Sequence, residues 1–261
     1  MIAKKSILKK KKRPIDIDEA SRVLNEKSSF ETVETYKAIR TNVMFSMPKT
    51  DNGKVIVVTS SAPGEGKTTT SINLAITFAQ MGAKVMLIDC DLRKSRVHRY
   101  LGLERKNGIS NVLCGFSNLD KAIKVNVREN LDVLPAGEIP PNPAELMETE
   151  EFKNLIAELQ KRYDYIFIDT PPITVVTDAA IAMKYSMGTI VVIRQDVTTF
   201  DMMDAAMESI KTTGVKILGA IMLGAEQKSK KYGYYKNGKY GYKYGYNYTY
   251  DYKYEDDDKD S

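Results

Sequence analysis

The sequence predicts an α/β fold: a mostly parallel sheet with helices on both faces, followed by a disordered C-terminal tail. Three observations carry this. Val/Ile/Leu-rich runs, most of them nearly continuous, recur at 55–58, 84–88, 131–135, 165–169, 189–193 and 215–223. Such runs mark strands buried on both faces, where alternation is lost. Helical patterns lie between them, the rhythm of a covered parallel sheet. Beyond the last run the aliphatic residues stop, and tyrosine, glycine and lysine take over.

In chain order, residues 1–28 read as a flexible arm carrying Lys9, Lys10, Lys11, Lys12 and Arg13 ahead of Pro14. A terminal lysine run is first of all a solvated segment. Attraction to anionic lipid, at about 1 kcal/mol per basic residue near the surface, is the sharper alternative. Nothing else in the sequence supports nucleic-acid binding. A domain over 29–226 then opens with a helix at 30–45. Its Val33, Tyr36, Ile39 and Val43 recur at steps of three and four. Glu34, Lys37 and Arg40 share a charged flank of that helix. A turn at 48–53 leads into the first strand.

The next helix, at 71–81, stops at Gly82, and strand 84–88 follows. A short helix at 108–115 closes on Gly115, ahead of strand 131–135. Pro140-Pro141-Asn142-Pro143 opens another helix, and 150–162 forms the one after it. Strand 165–169 runs into the stiff loop Thr170-Pro171-Pro172. Helix 178–185, strand 189–193, helix 201–211 and strand 215–223 complete the domain. The remainder, 227–261, is low-complexity and expected to be disordered. Tyr232, Tyr234, Tyr235, Tyr240, Tyr242, Tyr244, Tyr246, Tyr248, Tyr250, Tyr252 and Tyr254 place eleven of the sixteen tyrosines there, with no aliphatic residue among them.

A length of 261 residues suits one large α/β domain. At 43% apolar and 28% charged, the chain has the composition of a soluble protein with a core. Cys90 and Cys114 form neither a disulfide framework nor a metal-ligand spacing, as expected in a reducing cytosol. No apolar run approaches the roughly 18 to 20 residues of a membrane span. Lysines, rather than a signal-peptide apolar region, follow the first residues. The chain is therefore expected to be soluble.

Between the first strand and its helix lies Ser60-Ser61-Ala62-Pro63-Gly64-Glu65-Gly66-Lys67-Thr68-Thr69. Strand, glycine-containing loop, Lys-Thr and helix together define a P-loop. Its backbone N–H groups and helix N-terminus suit a polyphosphate. Lys67 is then the phosphate lysine and the Thr68 hydroxyl a magnesium ligand. The strict pattern has glycine where this chain has Ser61. Thr59, Asp89 and Asp169 follow strand ends, where ligands of such sheets bind. Asp169 suits the Walker B carboxylate. Asp89 and Asp91, one residue apart beside the phosphates, suit a metal ligand and a base. A tyrosine hydroxyl, with an unperturbed pKa near 10, needs such a base to accept its proton. Arg93 pairs with phosphate, orients one of these aspartates, or forms a structural ion pair. Cys90 is expected to point into the core, and His98, the only histidine, reads as a satisfied surface residue.

Together these residues resemble the bacterial tyrosine kinases (BY-kinases) of capsule and exopolysaccharide clusters, in their Gram-positive form. The resemblance runs through 62–68 as Walker A, Val85 to Arg93 as Walker A′, 166–172 as Walker B, Gly137 with 141–146, and the tyrosine cluster. It implies ATP and Mg²⁺ as cofactors. Lys67, Asp89, Asp91, Asp169 and Arg93 become catalytic residues, with metal ligands at Thr68, Asp89, Asp91 and Asp169. Residues Ala62, Pro63, Gly64, Glu65, Gly66, Lys67, Thr68 and Thr69 surround the nucleotide. It further implies autophosphorylation of the tail in trans within a ring homo-oligomer, an octamer. A transmembrane activator of the polysaccharide co-polymerase type would hold the cytoplasmic kinase at the inner face of the membrane. A cognate phosphotyrosine phosphatase would oppose it. The family's ring motif, Glu-x-x-Arg-x-x-Arg, stands here as Glu34-x-x-Lys37-x-x-Arg40; lysine keeps the charge but loses bidentate pairing.

A second reading on the same fold is a positioning ATPase of the division-site or plasmid-partition type. Those proteins carry a signature lysine where this chain has Ala62, and no tyrosine tail. A third is a pseudokinase scaffold, against which the intact Lys67, Thr68, Asp89, Asp91 and Asp169 speak.

Overall fold

The computed structural model describes residues 19–225. The basic cluster at 9–13 and every tail tyrosine from Tyr232 onward lie outside the described residues.

Seven strands form one sheet: β1 (Lys54–Ser60), β2 (Val85–Asp89), β3 (Lys124–Arg128), β4 (Leu131–Leu134), β5 (Tyr165–Asp169), β6 (Gly188–Arg194) and β7 (Ile217–Leu223). Their order is β3-β4-β2-β5-β1-β6-β7, antiparallel only between β3 and β4. The central strands are buried along nearly their whole length, as their unbroken apolar runs require.

Helices cover both faces. On one side lie α1 (Phe30–Ser46) and α2 (Lys67–Ala79), packing Tyr36, Val43, Ile72, Leu74 and Phe78 onto Ile56, Val58 and Phe167. Phe78 meets Tyr165 and Phe167 edge-on, with ring centroids 4.6 and 5.1 Å apart, an arrangement that complements the ring quadrupoles. The short helices α3 (Val97–Tyr100), α4 (Ile109–Leu113), α5 (Leu119–Ala122) and α6 (Pro143–Met147) follow β2 and β4. On the other face, α7 (Glu150–Arg162), α8 (Asp178–Met183) and α9 (Phe200–Lys211) bury Phe152, Leu155, Ile156, Met183, Ala206 and Ile210.

Caps explain several helix starts. Ser29, Thr149 and Thr199 each accept a backbone N–H from the first turn of α1, α7 and α9, which satisfies a donor the helix cannot.

Two differences from the sequence reading have physical causes. Strand β3, Lys-Val-Asn-Val-Arg, was not expected. It is a half-exposed edge strand whose register breaks between its ends, with Asn126 at φ 52°, so no apolar run announces it. The last residues assigned to the flexible arm also belong to the core. Val23 and Leu24 are buried, and Asn73 of α2 pins them by accepting the Leu24 N–H at 2.9 Å and donating to the Arg22 carbonyl at 3.1 Å.

Candidate active site

β1, β2 and β5 are neighbours in the sheet, and all three run parallel. Their carboxyl ends therefore open at one place. Asp169 stands in register with Val58 and with Asp89, which brings the P-loop after β1 and the Asp89–Asp91 turn after β2 against the end of β5.

The P-loop turns into α2 through Gly66, whose φ of 94° is left-handed. A side chain there would be strained, and its Cβ would run into Leu223 Cδ1, so the position demands glycine. Lys67 follows immediately. Its Nζ lies 2.9 Å from Asp91 Oδ2 and 3.7 Å from Asp169 Oδ2. The Thr68 hydroxyl donates to Asp169 Oδ2 at 2.7 Å, and Ser71 reaches Asp169 Oδ1 at 3.0 Å. A cavity of about 200 Å³ opens above them, lined by Pro63, Gly64, Gly66, Lys67, Thr68 and Thr69 of the loop and by Asp91 and Arg93.

Charge is crowded beneath this cavity. Asp89 and Asp169 are fully buried. Burial, then the neighbouring Asp169 charge, holds Asp89 well above the usual carboxylate range. Burial also raises Asp169, against the opposing pull of Lys67 and the Thr68 hydrogen bond. For Lys67, burial disfavours the ammonium, but Asp169 and Asp91 outweigh it and keep the charge. The arrangement is one cation among three carboxylates, an electrostatic sink for further positive charge.

The structure brings together Lys67, Thr68, Asp91 and Asp169 as the sequence reading expected, but it distributes other roles differently. Both Asp89 oxygens accept backbone N–H groups, from Asp91 and Val97, each at 3.2 Å. Asp89 thus holds the turn rather than lining the cavity. Glu65, expected beside the nucleotide, is fully buried within the loop. It accepts the Ser61 hydroxyl at 2.7 Å, the Ala62 N–H at 2.8 Å and the Thr198 hydroxyl. Neither Glu65 nor Ala62 lines the cavity. Ser61, the departure from the glycine pattern, is therefore a brace. Arg93 points both ends of its fork at Asp178, with Nε 2.9 Å from Oδ2 and a terminal nitrogen 3.1 Å from Oδ1. In α1, Glu34 and Lys37 pair with each other at 2.8 Å, while Arg40 donates to the Thr77 carbonyl of α2 at 2.7 Å.

Sequence reasoning missed Ser61, Ser71, Asp178 and Thr198 as parts of this site. Ser71, one helical turn from Lys67, and Ser61, four residues from Glu65, are local to the P-loop; Asp178 and Thr198 depend on long-range packing. A wider cavity, about 920 Å³, lies elsewhere, at the far end of α2 between residues 24–27 and 128–130. It gathers none of these groups.

A family described as AAA domain matches residues 53–217. The chain is 43% identical over 203 residues to the tyrosine-protein kinase YwqD of Bacillus subtilis (strain 168), covering 77% of this chain and 85% of that protein. The chain belongs to the bacterial tyrosine kinases. Among solved structures, the kinase domain of the Escherichia coli tyrosine kinase ETK superposes with a TM-score of 0.72 at 32% identity, over 78% of this chain and 80% of that one. The likeness to the septum site-determining protein MinD complexed with Mg-ADP, from Pyrococcus horikoshii OT3, is weaker. There the TM-score is 0.57 at 29% identity, over 67% and 72% of the two chains. The positioning-ATPase reading is accordingly not favoured for this tyrosine kinase. Among the described residues, no helix is long and apolar enough to cross a membrane.

Proposed function

We propose that this tyrosine kinase transfers the γ-phosphoryl group of ATP to the tyrosines of its own C-terminal cluster, acting in trans between subunits of a ring. The observation that carries the reading is the convergence of Lys67, Thr68, Asp91 and Asp169 under one cavity. Lys67 supplies a positive charge for the phosphate oxygens. Asp91, which faces the cavity, takes the tyrosine proton as the new O–P bond forms and the bond from the γ-phosphorus to the bridging oxygen breaks, releasing ADP; a positioned base of this kind contributes about 10² to 10⁴ in rate. The loop braced by Ser61, Glu65 and Thr198 holds its amides in place for the phosphates.

Magnesium fits the donor set. Thr68, Asp91 and Asp169 offer hard oxygen ligands, and among the described residues no three acidic, His or Cys side chains form a ready-made cage. That suits an ion taking one or two protein oxygens alongside phosphate and water. When bound, it supplies neutralisation of the phosphate charge.

The wider reading places the kinase at the inner face of the membrane, activated by a transmembrane adaptor and opposed by a phosphatase, in control of capsular or extracellular polysaccharide synthesis or export. The kinase names of its relatives support the tyrosine-kinase activity on which this setting rests. The test is intact mass and phosphopeptide mapping of the full chain with an adaptor segment, ATP and Mg²⁺. Phosphate should accumulate on the tail tyrosines and be lost in Lys67→Met. A preparation that hydrolyses ATP yet leaves every tyrosine unmodified overturns the proposal.

A further inference from the structure

Asp178 has no place in the reading above, yet it is a fully buried carboxylate. Burying an ionised carboxylate costs several kcal/mol unless it is paired and hydrogen-bonded. Arg93 meets both of its oxygens, and that contact is the first cause holding the guanidinium above its ordinary value. The arginine side chain is 41% exposed where the aspartate is wholly enclosed. The buried partner is therefore the fixed point, and the arginine is what it holds.

What the pair joins is specific. Arg93 ends the turn that begins at Asp89, and Asp178 begins α8, which follows Asp169 by way of the Thr170–Thr177 loop. The two loops are already tied at their base, where the Cys90 N–H donates to the Asp169 carbonyl at 2.8 Å. The Arg93–Asp178 fork ties them again three residues on. Asp91 lies between the two ties. Its own N–H donates to Asp89 Oδ1 at 3.2 Å, and its carboxylate takes the Lys94 N–H on Oδ1, at 2.9 Å, and Lys67 on Oδ2.

We infer that Asp178 is a positioning residue for the phosphoryl-transfer site, fixing Asp91 toward Lys67 through the Arg93 fork, and that Arg93 acts through this pairing rather than on the phosphates. The inference rests on the kinase reading for its substrate, but not for its geometry.

A double-mutant cycle on the full chain tests it, with Asp178→Asn, Arg93→Gln and the pair combined. Misplacement of a reacting group by about 1 Å costs on the order of 10²-fold, so each single variant should lower kcat by about tenfold or more. The KM for ATP should stay within about twofold, since the P-loop is untouched. The combined variant should be no slower than the worse single, because both remove the same tie. Arg93→Lys, which keeps Asp178 compensated but cannot fork, should lower kcat with KM unchanged. This variant keeps the test open should a carboxylate or arginine deletion fail to fold. Multiplicative losses in the double, or a KM for ATP that rises in Arg93→Gln alone, would overturn the inference and place Arg93 on the nucleotide. If the wild type hydrolyses ATP without modifying tyrosine, the same cycle read on hydrolysis separates failure of the positioning role from failure of the kinase reading.

Discussion

Restoring the glycine of the strict P-loop pattern should damage this protein. Ser61 is 2% exposed and its backbone lies outside the left-handed region, so glycine would relieve no strain. In Ser61→Gly the Glu65 carboxylate loses the hydroxyl at 2.7 Å but keeps the Ala62 N–H and Thr198. A hydrogen bond to a charged group contributes about 1.5 to 3 kcal/mol. The added backbone freedom of glycine costs roughly 0.5 to 1 kcal/mol more. With two partners left on Glu65, the lower end applies, about 2 kcal/mol, or a melting temperature lower by roughly 4 to 8 °C for a domain of this size. Ser61→Ala should show only the hydrogen-bond part. Thermal melts of wild type and both variants, with calorimetric titration of Mg·ADP, measure this. A looser loop must be ordered on binding, so ADP affinity should also weaken by about threefold or more. A glycine variant that melts within about 1 °C of wild type and binds ADP equally well would refute the bracing role of Ser61 and Glu65.

Two further outcomes follow from the site. Thr68→Val removes the hydroxyl 2.7 Å from Asp169 and should lower the initial rate of tail phosphorylation about 10²-fold, while Thr68→Ser retains most activity; equal rates for valine and wild type would remove Thr68 from the site. Asp89 has a folded-state value raised above its unfolded one, so its site is without penalty below about pH 4 and destabilises the fold progressively as pH rises toward the folded value. In buffer with EDTA and no nucleotide, Asp89→Asn forfeits one of the two backbone N–H bonds, but its stability relative to wild type should rise progressively in urea unfolding as pH increases above about 4, and a difference independent of pH would contradict the assignment.

Local chemistry alone determined much of this protein. The unbroken apolar runs marked the central strands, because a strand buried on both faces has no polar side to alternate with. The loop from Ser60 to Thr69 was legible as a candidate P-loop, since a phosphate cradle is built from consecutive residues whose spacing is the mechanism. Asp91 and Asp169 were legible because strand ends are where such sheets place their chemistry.

Tertiary structure decided which carboxylates face the cavity and which hold it in shape. Asp89 and Asp91 are indistinguishable on paper, one residue apart in the same motif. Only the register of β2 against β5 and the path of the turn send one onto backbone amides and the other onto Lys67. Glu65 reads in the sequence as a neighbour of the nucleotide, but Thr198, 133 residues away along the chain, holds it turned into the loop. Arg93 found its partner 85 residues later. The physical reason is that a buried charge takes its role from the donors brought to it: for Asp89 the path of the turn supplies them, and for Glu65 and Arg93 the deciding partner's distance along the chain leaves no trace in local spacing.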